Sequence, residues 1–77
     1  MYWSKPKRVT RYSKSYSMRG RHNGCNLTVH YNEHSDIFYF AGIDKDGNGY
    51  NSMRHRLGYV SLHDAQDAAV KWAEERG

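Results

Sequence analysis

The sequence predicts an α+β domain in which a three-stranded antiparallel sheet packs against one C-terminal helix, preceded by a basic N-terminal arm. Two segments with the composition of strands, residues 26–32 and 37–43, follow one another and are joined by polar turn residues. A third strand is expected over residues 50–57, after a turn rich in Gly, Asp and Asn. Apolar side chains then recur at helical spacing over residues 62–76, and a helix there would cover one face of the sheet.

The strand assignments rest on how side chains alternate. Leu27, Val29 and Tyr31 alternate with polar residues, which is typical of a strand with one buried face. Residues 37–43 are mostly β-branched or aromatic, so this segment is expected to be the central strand. In the third strand, alternation would turn Met53, His55 and Leu57 to one side and Ser52, Arg54 and Arg56 to the other.

The predicted helix has a recognisable start and one apolar stripe. Ser61 stands three residues before Asp64, which is a Ser-x-x-acid capping arrangement. Most of the charged side chains of the segment fall outside the stripe, which consists of Leu62, Ala65, Ala69, Trp72 and Ala73. The small alanines would let the helix lie close to the sheet, and the sheet would cover Trp72.

Charge divides the chain into two parts, residues 1–24 and residues 25–77. The whole chain has 77 residues and a formal net charge of +4. All the charges in the first part are positive, on Lys5, Lys7, Arg8, Arg11, Lys14, Arg19 and Arg21. The second part has more acids than bases. A basic segment beside a near-neutral body is typical of proteins that contact nucleic acid or another anionic surface.

Three structures are compatible with residues 1–24. The segment interleaves its bases with Tyr2, Trp3, Tyr12 and Tyr16, so a nucleic-acid-binding arm could stack aromatic rings on bases and neutralise phosphates. A disordered tail that aids solubility would have the same composition. Alternation beginning at Thr10 would also fit an extra strand.

Several classes of protein are excluded or disfavoured. The length allows one small domain, and the longest apolar run, residues 37–43, is far too short to span a membrane. The single cysteine, Cys25, cannot form an intramolecular disulfide, and no secretion signal opens the chain, so a cytoplasmic, reducing location is expected. No catalytic triad, carboxylate pair or phosphate-binding glycine motif is recognisable. We therefore expect no enzyme activity, catalytic residue, cofactor or small-molecule substrate.

Two partial metal motifs are present, and a metal site is expected at neither. Residues 44–49 match the first half of a calcium-binding loop, but His55 stands where the bidentate Glu is required. Four potential zinc ligands follow one another at near-knuckle spacing: His22, Cys25, His30 and His34. A zinc knuckle uses three Cys, and His30 falls within a predicted strand, so the zinc alternative is disfavoured without being excluded.

The junction between the last strand and the helix carries a family resemblance. The run Leu57-Gly58-Tyr59-Val60-Ser61, followed by Asp64-Ala65 and Ala68-Ala69, resembles the ethylene-response-factor DNA-binding domain of plants and the arm-type DNA-binding domain of integrases. The likeness covers about residues 26–76. It implies a three-stranded sheet whose uncovered face enters the DNA major groove. By position, that face would present His30, Tyr39, Arg54 and Arg56.

Two functions remain open at this stage. The first is a non-enzymatic nucleic-acid-binding module, with duplex DNA favoured, whose arm contacts phosphates and whose sheet face contacts the groove. The second is a protein-interaction module, such as a phage-type inhibitor or adaptor that docks on a host nucleic-acid-processing complex. Eleven aromatic residues exceed what so small a core needs, and surface Tyr and Trp favour protein interfaces.

Overall fold

The computed structural model describes residues 2–76, which form an α+β domain with one antiparallel sheet and one long helix. The sheet has five strands in chain order. The strands are β1 (Lys7–Arg8), β2 (Tyr16–His22), β3 (Cys25–Asn32), β4 (Ile37–Ile43) and β5 (Gly49–Asn51). A short 3₁₀ helix (Ser52–His55) and the helix α1 (Leu62–Arg76) complete the chain. The fold class and the C-terminal helix are confirmed, whereas the prediction of three strands is wrong.

The additional long strand, β2, lies within residues 1–24, for which an extra strand was one of the three structures that the sequence allowed. β2 pairs with β3 from Tyr16 opposite Tyr31 to His22 opposite Cys25. The two strands are joined by Asn23 and Gly24, both with positive φ (53° and 78°). A two-residue Asn-Gly loop of this conformation matches the twist of a hairpin. Residues 16–22 therefore belong to the sheet.

The chain before β2 also follows the sheet. Trp3 forms an isolated antiparallel bridge with Gly20. Ser4 is bonded to Arg19 in both directions, since its N–H donates to the Arg19 carbonyl (2.7 Å) and its hydroxyl accepts from the Arg19 N–H (2.9 Å). β1 then pairs with the start of β2. Residues 3–8 thus border the outer edge of β2, where an unpaired strand edge would otherwise be exposed.

The predicted third strand, residues 50–57, is also wrong beyond its first two residues. The Asn51 side chain accepts a hydrogen bond from the Met53 N–H (2.9 Å) and caps the 3₁₀ helix instead. Ser52 turns inward, is fully buried, and accepts a hydrogen bond from the Phe40 N–H (3.0 Å). The turn also stacks His55 on Tyr50, with ring centroids 4.9 Å apart. Local side-chain capping and this stacking end the strand at Asn51.

The core lies between the sheet and α1. Its buried apolar residues are Cys25, Leu27, Val29, Phe40, Ala65, Ala69, Trp72 and Ala73. Gly42 is opposite Leu27, and the Trp72 ring lies directly over it, where a Cβ on residue 42 would come within 2.4 Å of the ring. Trp3 packs against the same cluster. The predicted helix bounds and the Ser61 cap are confirmed, because the Ser61 hydroxyl accepts from the Asp64 N–H (3.1 Å).

The helices of the domain are short or polar. Within residues 2–76, none combines the length and the apolar composition that crossing a bilayer requires.

Candidate nucleic-acid interface

The sheet has one covered face and one face turned away from α1. Side chains directly opposite one another in an antiparallel sheet share a face. Arg19 lies opposite Thr28, and Thr28 lies opposite Ala41. Thr28 alternates with the buried Leu27 and Val29 along β3, so Thr28 and the two residues opposite it belong to the uncovered face. We call the uncovered set the open face, and its members are Lys7, Ser17, Arg19, Arg21, Asn26, Thr28, His30, Asn32, Ile37, Tyr39, Ala41, Ile43, Gly49 and Asn51.

Charge is separated between the two layers of the domain. The open face carries the cations Lys7, Arg19 and Arg21, and no Asp or Glu is among its residues. Half of the eight acids of the chain are instead on α1, as Asp64, Asp67, Glu74 and Glu75. All four are exposed, while the buried side of α1 packs on the sheet. The domain therefore has a positive face and an opposite face that is mostly negative.

The structure brings together only some of the residues predicted to bind. Lys7, His30 and Tyr39 lie in one row across the open face, with Ser17 between Lys7 and His30. Arg19 and Arg21 occupy the next two rows. These five predicted site residues share one surface.

The other predicted residues lie elsewhere. Arg8 is opposite Tyr16 and so belongs to the other side of the sheet. Arg54 is in the 3₁₀ helix and Arg56 follows it with a positive φ of 57°. Their predicted position on a third strand is wrong, because the strand ends at Asn51. Lys5 precedes β1, and Arg11 and Lys14 lie in the loop between β1 and β2.

His30 is the titratable group near the centre of the open face. Desolvation lowers the pKa of its imidazole from 6.5. The ring is therefore neutral at physiological pH, with one nitrogen donating and the other accepting a hydrogen bond. Tyr39 lies directly opposite it on β4. This pair offers polar groups of both kinds beside a ring surface, which suits contact with the edge of a base.

A groove of about 410 Å³ adjoins this pair. One wall is the loop between β1 and β2, through Val9, Ser13 and Ser15. The other wall contains Asn51 and Met53. The groove extends the open face beyond the strands and makes the loop part of the same surface.

The loop between β1 and β2, residues 9–15, is fastened to the β3–β4 turn by Glu33. The Glu33 carboxylate accepts hydrogen bonds from the Ser13 hydroxyl (3.2 Å) and the Lys14 N–H (2.9 Å). The Lys14 N–H is the main reason that the pKa of Glu33 lies below 4.5. The Glu33 N–H in turn donates to the Ser15 hydroxyl (3.0 Å). Sequence reasoning missed this contact because nothing local links residues so far apart.

The two partial metal motifs have other roles. One Asp44 oxygen accepts from the N–H groups of Asp46 and Asn48, both at 2.9 Å, as in an Asx-type turn. Cys25 is buried on the covered face, whereas His30 lies on the open face. Throughout residues 2–76, no group of three or more His, Cys, Asp or Glu side chains is arranged to hold a metal ion.

Comparison with known proteins adds no relative. Neither the protein-family models, nor the curated proteins, nor the solved structures contain a match to this chain. The fold and the open face define a small α+β domain with a basic, acid-free sheet surface. Its function is argued from that surface.

Proposed function

We propose that this domain is a non-enzymatic nucleic-acid-binding module that contacts duplex DNA through its open face. The observation that carries the proposal is the charge separation. Arg19, Arg21 and Lys7 lie on a sheet face without acids, while half of the acids lie on the far side of α1. A polyanion would be drawn to the open face and repelled from the outer face of α1.

The dimensions of the sheet favour the major groove. Neighbouring strands lie about 4.8 Å apart, so β2, β3 and β4 together are roughly 10 Å wide between their outer axes. The major groove of B-DNA is about 12 Å wide and admits a two-stranded β-ribbon, whereas the minor groove is only about 6 Å wide, so two neighbouring strands of the sheet, such as β2 and β3, can enter the major groove. The centre of the open face therefore suits the major groove of a duplex.

Five open-face residues then have a chemical role. Arg19 and Arg21 are two positions apart on one strand, and each guanidinium can donate two hydrogen bonds to the O6 and N7 atoms of a guanine. Neutral His30 and the Tyr39 hydroxyl can contact neighbouring base edges. Lys7 lies at the margin of the face, where a phosphate contact is expected.

The family resemblance supports the same surface with one change. It implies an uncovered sheet face in the major groove, and the arginines of that face were expected at Arg54 and Arg56. In the structure the long strands are β2, β3 and β4, and β2 supplies Arg19 and Arg21 instead. The basic side chains of the face thus come from β2 and, through Lys7, from β1.

The proposal is tested by fluorescence anisotropy with the full chain and labelled duplex DNA, single-stranded DNA and RNA. We expect duplex DNA to bind most tightly. We expect log K to fall with log salt concentration with a slope of about −0.9 per phosphate contacted. An absence of binding to all three at low salt would contradict the proposal and leave the protein-interaction function as the alternative.

A further inference from the structure

The loop of residues 9–15 is rigidly built although it lies at the surface. Its ends are joined by a hydrogen bond from the Val9 N–H to the Ser15 carbonyl (3.1 Å). Within it, the Ser13 N–H donates to the Thr10 carbonyl (3.2 Å), and the Ser15 N–H donates to the Ser13 hydroxyl (3.0 Å). The Glu33 carboxylate fixes residues 13 and 14, which lead from the tip of the loop back to β2. The backbone of the tip therefore has a fixed position relative to the sheet.

The tip of this loop exposes a cation and an aromatic ring together. Tyr12 is 85 % exposed. The Arg11 guanidinium lies 5.0 Å from the centre of the Tyr12 ring and donates to its hydroxyl (2.9 Å). The pair thus presents a positive charge and a flat ring surface to solvent on a prearranged backbone.

The loop lies beside the open face, and its tip is within reach of the same duplex. Val9, Ser13 and Ser15 of the loop line the groove that adjoins His30 and Tyr39. Tyr12 at the tip is eight positions before Gly20, which lies midway between Arg19 and Arg21. At about 3.3 Å per residue, Tyr12 is at most about 26 Å from the arginine pair. The backbone strand that borders a major groove about 12 Å wide lies within that reach of the centre of the groove.

We propose that this loop is a second contact element, in which Arg11 and Tyr12 bind the sugar–phosphate backbone of the duplex whose major groove the open face occupies. This inference rests on the proposed function. Arg11 would pair with a phosphate, and the Tyr12 ring would pack on the adjacent sugar. Such contacts fix the register of a protein on a duplex and carry no sequence information themselves.

Glu33 is then a positioning residue. Because Glu33 is negatively charged, a general charge effect and a loss of positioning change the affinity for DNA in opposite directions. Removing a carboxylate makes the protein more positive, and general electrostatics would strengthen binding to DNA. Removing the Glu33 carboxylate also releases the Ser13 hydroxyl and the Lys14 N–H, so the loop keeps its internal hydrogen bonds but loses two of its three hydrogen bonds to residue 33, and its tip is held less firmly against the sheet. The proposal predicts weaker binding in spite of the added positive charge.

The experiment measures anisotropy of a labelled duplex with the full chain and three variants. Arg11 and Tyr12 are both exposed, and the side-chain contact between them lies within the pair, so R11A/Y12A should fold normally. We expect it to bind about three- to tenfold more weakly on every duplex sequence, with a salt slope smaller by about 0.9. E33A should weaken binding in the same sequence-independent way. D36N is the matched control, because it removes a carboxylate from the same turn and its amide oxygen can still accept from Tyr31. It should bind as tightly as the wild type or more tightly.

The outcomes separate this inference from the proposed function. If the wild type binds duplex DNA and R11A/Y12A binds equally well with an unchanged slope, the loop contact is overturned and the open face stands. If E33A binds as tightly as D36N, Glu33 does not position the tip. If the wild type binds no duplex at all, the proposed function itself fails. Melting curves for all variants exclude unfolding as the cause of weaker binding.

Discussion

Gly42→Ala is expected to destabilise the domain by about 3 kcal/mol or more, a cost close to removing a buried aromatic side chain. The new Cβ would lie 2.4 Å from Cζ3 and 2.8 Å from Cε3 of Trp72. Real Cβ atoms do not approach a ring so closely, so the ring must leave its position over β4. Trp72 is the largest buried side chain that α1 contributes, and its displacement would separate the two layers. In so small a domain this is a large share of the total stability.

Urea unfolding followed by circular dichroism measures this effect, and Gly49→Ala is the matched control. Gly49 lies on the neighbouring strand, and a Cβ there would only contact the Gly42 carbonyl at 3.8 Å, an ordinary distance. We expect that control to stay within about 0.5 kcal/mol of the wild type, as surface substitutions usually do. If Gly42→Ala is equally mild, the placement of Trp72 over Gly42 is wrong.

The largest expected effect on function comes from R19Q/R21Q, which removes both arginines from the open face. If each arginine contacts a base, each substitution costs about 1–3 kcal/mol, so the double variant should lose about 2–6 kcal/mol and bind duplex DNA at least about thirtyfold more weakly at 150 mM salt. Part of the loss should depend on the duplex sequence, because base contacts carry the specificity. Fluorescence anisotropy with two unrelated duplexes measures both quantities.

The control for R19Q/R21Q removes the same number of charges from the other layer. K71Q/R76Q neutralises two exposed cations of α1, which packs on the face of the sheet opposite to the open face. Arg76 lies over the Trp72 ring at 4.9 Å, so this control should lose about 0.5–1 kcal/mol of stability, which a melting curve would register. Screening limits charge effects to roughly 8 Å at physiological salt, so its affinity should change less than about threefold. Equal losses for the two double variants would show that net charge alone governs binding.

Local sequence patterns were sufficient to predict two long strands of the sheet and the helix that packs on it. β3, β4 and α1 lie within one residue of their predicted bounds, because alternation, β-branched composition and the Ser61 cap all act locally. β2 gave a weaker pattern. Its covered side has Tyr16 and Met18 followed by Gly20 and His22, so the apolar alternation stops halfway along the strand. Beside Gly20 the apolar side chain comes from Trp3, which is distant in the sequence.

The site was only partly predictable for a related reason. Arg19 and Arg21 were identified from the charge pattern. The face of the sheet that they occupy is set by the hairpin that Asn23 and Gly24 close, and the charge pattern does not contain that information. Arg54 was misplaced because a hydrogen bond from the Phe40 N–H to the Ser52 hydroxyl competes with strand continuation. The attachment of Ser13 to Glu33 spans twenty positions. No local pattern of side chains signals a contact at that separation.

Nucleic acid is expected to contact the open face and not the outer face of α1. Titrating unlabelled duplex DNA into ¹⁵N-labelled full-length protein, and following amide chemical shifts, distinguishes the two faces. We expect the largest shifts at Arg19, Arg21, His30 and Tyr39, with a second group at Arg11 and Tyr12, and small changes along the exposed positions of α1. Shifts concentrated at Asp67, Lys71 and Glu74 of α1, with the open face unchanged, would contradict this expectation.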